Sequence, residues 1–230
     1  MSSGRGSPTL VLIPTALERA RLEDQGGFDT GTALVHLCGF GPIAAAARTA
    51  ELIARLTPHR VVLIGIAGTF DSEHFPVGSA RAFDAVAIEG IGAGEGEDFV
   101  GPTALGFPQW PGGEAGERGP VLDRILLATD GTIHRDPLDA QALLLTTCAA
   151  SGSPAQAHLR RERHPSALAE DMEGFAVAFA CALAGVPVSI VRGATNVVGD
   201  RDPARWRIPA GLAAARERAL EILRAAEPRA

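Results

Sequence analysis

Three carboxylates, an arginine and an asparagine punctuate one apolar stretch, LAEDMEGFAVAFACALAGVPVSIVRGATN, from Leu168 to Asn196: Glu170, Asp171, Glu173, Arg192 and Asn196. Carboxylates accept hydrogen bonds from neighbouring hydroxyls, and a side-chain amide both donates and accepts, which suits the edge of a heterocycle. A single acid at a helix start has a plain explanation in the helix macrodipole. The combination is harder to dismiss, because Glu173 opens a helix of Phe175, Val177, Phe179, Cys181 and Leu183, while Arg192 and Asn196 close the apolar strand PVSIV. Half-buried polar groups need partners. Either these bind one another, or they bind a ligand rich in hydroxyls and ring nitrogens at a strand end, where open α/β sheets collect ligands.

The elements that must position them follow from hydrophobic patterning. Thr9–Ile13 is a short apolar strand stopped by Pro14, and ALERARLED from Ala16 is helical. Thr32–Leu37 is a second strand, and Pro42 starts an Ala-rich helix, a position that suits proline. Arg60–Gly68 is apolar without alternation, as in a strand covered on both faces. Strands are expected around ARAFDAVAIEG, RILLAT and ALLLTTCA, and a helix opens at Ser153. PVSIVRGATN is the last strand, and a terminal helix from Asp202 onward is expected to break near Pro209. Residues 90–120 hold ten glycines and four prolines with no period, a functional or disordered loop. The pattern predicts a single α/β domain, 9–230, with a mixed central sheet flanked by helices, after a disordered lead over residues 1–8.

Bulk properties exclude much. The net charge of −6 argues against a general nucleic-acid binder, and HLRRERH reads as a solvated helix face. All 21 basic residues are Arg, and Tyr is absent, so no Schiff-base lysine or tyrosine acid exists. Cys38, Cys148 and Cys181 have no C-x-x-C spacing and read as reduced thiols of a cytoplasmic protein. No apolar run reaches the ~20 residues of a membrane span. His36, His59, His74, His134, His158 and His164 are scattered, so no metal is expected. IEGIGAGEGED lacks the following helix that a dinucleotide fingerprint needs, and no organic cofactor is expected. CGFGP does open a helix, whose free N–H groups either bind an anion or merely close a turn.

EDMEGFAVAFAC and GVPVSIVRGATN with GDRD, together with RVVLIGIAGTF, CGFGPIAAAA and VLIPTALERARL, resemble the nucleoside phosphorylase/nucleosidase superfamily. The likeness spans most of the chain and is weakest over residues 90–139. AEDMEGFAVAFAC and RGATNVVGDRDPARW look most like the branch that hydrolyses futalosine on a menaquinone pathway, releasing hypoxanthine.

The resemblance implies that Glu173 holds the ribose 2′- and 3′-hydroxyls while Met172 packs on the sugar. Ile66, Ala67 and Gly68 of the Gly-rich strand would meet the substrate, and Ala150, Ser151 and Gly152 would line the base pocket. Asn196 would meet the purine N7/O6 edge, Arg192 would lie near the glycosidic carbon and help place water, and Glu18 would polarise that water. Adenine-specific relatives carry Asp at position 196; an Asn cannot protonate N7 but can pair with a 6-oxopurine, leaving Asp200, Asp202 or solvent as the candidate acid. Ile66 stands where relatives carry Ser, and Leu63 and Ile64 where a phosphate-binding Arg would sit, which favours water over phosphate. A homo-oligomer is implied, and Phe99, Phe107 and Trp110 of the long loop are candidates for its interface or for the substrate's aromatic carboxylate arm. A phosphorylase, a methylthioadenosine-type nucleosidase and a nucleoside-binding protein are the alternatives.

Overall fold

A computed structural model describes residues 7–28, 33–113, 119–129, 132–133 and 142–225. Most of the expected disordered lead, Thr32, His134 and nearly all of the turn before Leu143 lie outside the described residues. The first half of the chain runs β1 (Thr9–Ile13), α1 (Ala16–Asp24), β2 (Ala33–Leu37), α2 (Pro42–Leu56), β3 (Arg60–Thr69), β4 (Ala80–Ala82), β5 (Ala85–Glu89) and the one-turn α3 (Pro102–Leu105). The second half runs β6 (Arg124–Leu126), β7 (Ala128–Thr129), β8 (Thr132–Ile133), β9 (Leu143–Thr147), α4 (Pro154–Arg163), β10 (Ala167–Asp171), α5 (Gly174–Ala184), β11 (Val188–Val197) and α6 (Ile208–Ala225).

The mixed central sheet has the order β2-β1-β3-β10-β9-β5-β6, with β11 also pairing β3 and β4. It branches at β3. The first half of β3 lies parallel between β1 and β11, whereas its last two residues, Gly68 and Thr69, meet β10 antiparallel. Beyond that seam β10, β9 and β5 are parallel.

The lack of alternation in β1 and β3 has the expected cause. Leu10, Leu12 and Leu63 pack under α2 and α5, while Val11, Ile13, Val62 and Ile64 pack under α1 and α6. Both faces are dry, so a polar residue on either would lack a partner. The Pro42 start of α2 and the Gly185 end of α5 also stand as expected; Gly185 takes a left-handed φ of 77°.

The terminal segment is broken near Pro209 as expected: a 3-10 turn at Pro203–Arg205 is separated by two residues from α6, which begins at Ile208 with Pro209 in its first turn, where the missing N–H has no intrahelical role. Three expectations change. ARAFDAVAIEG forms two strands, β4 and β5, and RILLAT divides into β6 and β7 around buried Leu127. Residues 90–113 are not featureless: a 3-10 turn at Gly96–Asp98 precedes α3, and Ala93 bridges Val100. HLRRERH is solvated only in part. His158 faces water, but Arg160 binds Glu170, and Arg163 and His164 both bind Glu89. A charge run in sequence reads as surface because acids distant along the chain are invisible to it.

β11 and α6 approach through glycine. A Cβ at Gly193 would strike the Gly211 backbone carbonyl, and one at Gly211 would lie 2.9 Å from the Ala194 oxygen. Gly193→Ala is therefore expected to lose about 1–3 kcal/mol through forced separation of helix and strand, measured as a lower midpoint of thermal unfolding.

Candidate active site

A cleft of about 270 Å³ opens at the seam where β10 ends beside the last residues of β3. Its walls come from six places in the chain: the β1–α1 corner, the β2–α2 turn, the end of β3, the segment after β9, the β10–α5 junction, and the end of β11 with the loop after it. Among the expected residues, Glu18, Ile66, Ala67, Gly68, Ala150, Ser151, Met172, Glu173 and Asn196 all line it.

Glu173 sits at the N-cap of α5 but makes no capping bond of its own. That duty falls to Asp171, whose Oδ2 accepts from the Gly174 amide at 2.8 Å. Glu173 Oε1 instead accepts from the Gly41 amide at 3.0 Å. The anion at the CGFGP turn is thus the protein's own carboxylate. Gly41 has φ of 80°, a conformation glycine adopts without strain.

Arg192 lies beneath the floor, fully buried, and does not line the cleft. This differs from its expected place beside the glycosidic carbon. Its Nε and Nη2 donate to Asp171 Oδ2 at 3.0 and 2.5 Å, and Nη2 reaches Glu173 Oε2 at 3.3 Å. Thr146 Oγ1 donates to the other Asp171 oxygen at 2.6 Å. A Cβ at Gly65 would collide with the Arg192 guanidinium and lie 2.8 Å from Glu18 Oε1, so a bare strand lets both groups close in. Burial alone would lower the Arg192 pKa, but Asp171, Glu173 and Glu18 outweigh it and hold the charge.

Burial pushes the Glu173 carboxyl up to about 7; Arg192 opposes this, and the Asp171 charge adds to it. Burial likewise pushes the Cys38 thiol up to about 12, an inert group at neutral pH.

Glu18 occupies the third position of α1 in a capping box with Thr15. Its Oε2 accepts from the Thr15 amide and hydroxyl at 3.1 and 2.6 Å, and Oε1 from the Ile66 amide at 3.0 Å. The T-x-x-E spacing at Thr15–Glu18 could have supplied the cap from sequence. Across the cleft, Asn196 Oδ1 accepts from the Thr195 hydroxyl at 2.8 Å, and Nδ2 donates to the Val197 carbonyl at 3.0 Å.

Several expected residues stand elsewhere. Asp200 presents its backbone carbonyl to Asn196 and Trp206, while its carboxylate accepts from the Asp202 amide and pairs with Arg205. Asp202 caps the 3-10 turn at Pro203–Arg205. Neither acid lines the cleft, and nor does Gly152, whose amide binds Gln156 Oε1. Leu63 and Ile64 are buried on opposite faces of the sheet, so of these three positions only Ile66 lines the cleft. Phe99 lies under Arg163, Trp110 bridges Val121 and Phe107 is 74% exposed; none lines this chain's cleft.

The sequence pattern did not single out Phe40, Arg201 or Trp206 as cleft residues. It also missed the clamp behind Ser151. Glu170 accepts from the Ser151 amide at 2.7 Å and its hydroxyl at 2.6 Å, and Arg160 ties Glu170 to the Ala149 carbonyl.

These features define a nucleoside-sized cleft in a branched α/β sheet, and comparison with known proteins gives it a family. The sequence profile of the phosphorylase superfamily matches residues 25–226. The chain belongs to that superfamily, as its motifs implied. It is 40% identical over 181 residues to futalosine hydrolase of Streptomyces coelicolor, covering 76% of this chain and 72% of that protein. It is 34% identical over 215 residues to futalosine hydrolase of Thermus thermophilus, covering 89% and 90%. A solved 5′-methylthioadenosine/S-adenosylhomocysteine nucleosidase from Colwellia psychrerythraea, in complex with adenine, shares the fold with a TM-score of 0.73 at 20% identity, covering 96% of each chain.

Two outcomes follow from the buried charges. Glu173 has an ordinary value of 4.5 and a folded value of about 7, so between them the folded state keeps a proton that the unfolded chain has released. Its contribution to stability is complete below 4.5 and is lost as pH rises through 7. Glu173→Gln should therefore gain stability relative to wild type between about pH 5 and about pH 8, measured by urea unfolding at both. Arg192→Met strands two buried carboxylates and should cost about 3–5 kcal/mol at neutral pH by the same titration.

Proposed function

We propose that this protein hydrolyses the N-glycosidic bond of futalosine, releasing hypoxanthine, as a step of menaquinone biosynthesis. One observation carries the reading: Glu18, Glu173 and Asn196, from three distant parts of the chain, line one cleft. The 40% identity to a futalosine hydrolase supports the choice of substrate.

Breaking the bond develops positive charge on the sugar and negative charge on the base, as in other glycosyl hydrolysis. Glu173 accepts hydrogen bonds from the ribose diol, and its ionised form stabilises the oxocarbenium-like sugar. Met172 packs against the sugar. Glu18, held by Thr15 and the Ile66 amide, orients water and takes its proton late in the reaction. Asn196 turns Nδ2 to the base, exchanging its bond to the Asp200 carbonyl at 3.4 Å for one that stabilises the charge developing there. Asp200 plays no acid role, because its carboxylate is turned to Arg205. Arg192 acts through Glu173 rather than on the substrate, fixing the carboxylate beneath the diol.

Ile66 on the cleft wall favours water over phosphate, since it offers neither charge nor hydroxyl. Residues 9–230 form one hydrolase domain in this reading. The free Cys38, Cys148 and Cys181 suit a reducing cytoplasm. Phe40 on the cleft wall and Ile43 in the first turn of α2, 66% and 87% exposed, suit burial in a homo-oligomer. No helix among the described residues is long and apolar enough to cross a membrane.

Futalosine incubated with the protein should yield free hypoxanthine at the same rate with and without phosphate. Glu18→Gln should lower kcat by about 10²–10⁴-fold. A strict phosphate requirement would make the protein a phosphorylase, and tight binding without base release would make it a nucleoside-binding protein.

A further inference from the structure

The cleft carries acids on several walls, yet among the described residues Arg201 is the only basic one that lines it. The acids nearest Arg201 in sequence are already engaged: Asp200 and Asp202 both pair with Arg205, at 3.3 and 3.2 Å. Among the described residues no ion pair to Arg201 is found. Its guanidinium instead lies over the Trp206 ring, 5.0 Å from the centroid. The indole is itself held, because Nε1 donates to the Asp200 carbonyl at 3.2 Å. The turn that carries Arg201 passes through Gly199, where φ is 86° and a Cβ would fall 2.6 Å from the Ser153 carbonyl. This places an uncompensated cation and a fixed aromatic plate together on the wall of a nucleoside-sized cleft.

We propose that Arg201 and Trp206 form a subsite for an aromatic carboxylate carried on the nucleoside, with the edge of the Arg201 guanidinium binding the anion and the adjoining indole packing against the ring. The assignment rests on reading the cleft as a nucleoside site. A guanidinium offers two parallel N–H donors that match a carboxylate, and a cation held over an indole remains free to bind at its edge. The cleft, at about 270 Å³, is small for a pocket, so any substituent beyond base and sugar must reach its rim. Arg201 is exposed there, and Trp206 is half-buried. Aromatic carboxylate and phosphate are both anions, but only the first uses the indole.

The test compares futalosine, inosine and inosine 5′-monophosphate with wild type, Arg201→Gln and Arg201→Lys, following base release and, by calorimetry, binding. The ratio of kcat/KM for futalosine to that for inosine should fall about 10–100-fold in Arg201→Gln, chiefly through KM, and recover in part with Lys. An equal loss on futalosine and inosine, or no loss, overturns the subsite. A wild-type preference for the monophosphate that Arg201→Gln removes would assign the cation to phosphate and also overturn it. If wild type binds futalosine tightly without releasing base, the hydrolase reading fails; a matching loss of affinity in Arg201→Gln would then still support the subsite.

Discussion

The buried triad of Arg192, Asp171 and Glu173 is the constraint on which the rest of the site depends. A guanidinium with no exposed surface must be matched by charge and by hydrogen bonds, and Asp171 and Glu173 supply both. Replacing a whole buried triad of this kind, all partners together, with apolar residues often costs little stability. Its value here lies in geometry. Asp171 caps α5, Arg192 ends the apolar run of β11, and Glu173 meets the Gly41 turn before α2. One cation therefore locks two helix starts and two strands around a single carboxylate.

That lock sets the chemistry available to Glu173. Desolvation favours its protonated form, while Arg192 and the Gly41 amide favour the anion, and the balance lies near neutrality. In the proposed reaction, a carboxyl fixed in place and poised between its two states needs little reorganisation to meet a sugar diol as charge develops. The neighbouring acids are set apart by partner rather than by type. Asp171 is committed to Arg192 and the helix cap, and Glu170 to Ser151 and Arg160. Glu18 is held by three donors while still lining the cleft. Three nearly adjacent carboxylates in sequence thus do three separate things.

Close backbone approach is the second requirement. Gly65 admits Arg192 and Glu18 against β3, and Gly193 admits α6 against β11. Both glycines lie inside strands, where glycine is normally unfavourable. Their cost is offset by the contact each allows: one beneath the cleft and one behind the strand that carries Asn196.

The sequence by itself determined which segments are strands and helices, because apolar runs and Pro or Gly punctuation act over a few residues. It also pointed to Glu173, Met172 and Asn196, since these lie within two contiguous motifs on consecutive elements. Tertiary structure alone decided what each polar group touches. Gly41 and Glu173 are 132 residues apart, and Arg160 and Phe40 show no pattern linking them to the cleft. Whether Arg192 faces substrate or lies beneath it, and whether Asp200 offers a carboxylate or a carbonyl, depended on side-chain direction and on competing partners such as Arg205. Periodicity reports which face of an element is buried. It carries no information about which distant element covers that face, and that pairing is what brings these residues to one cleft.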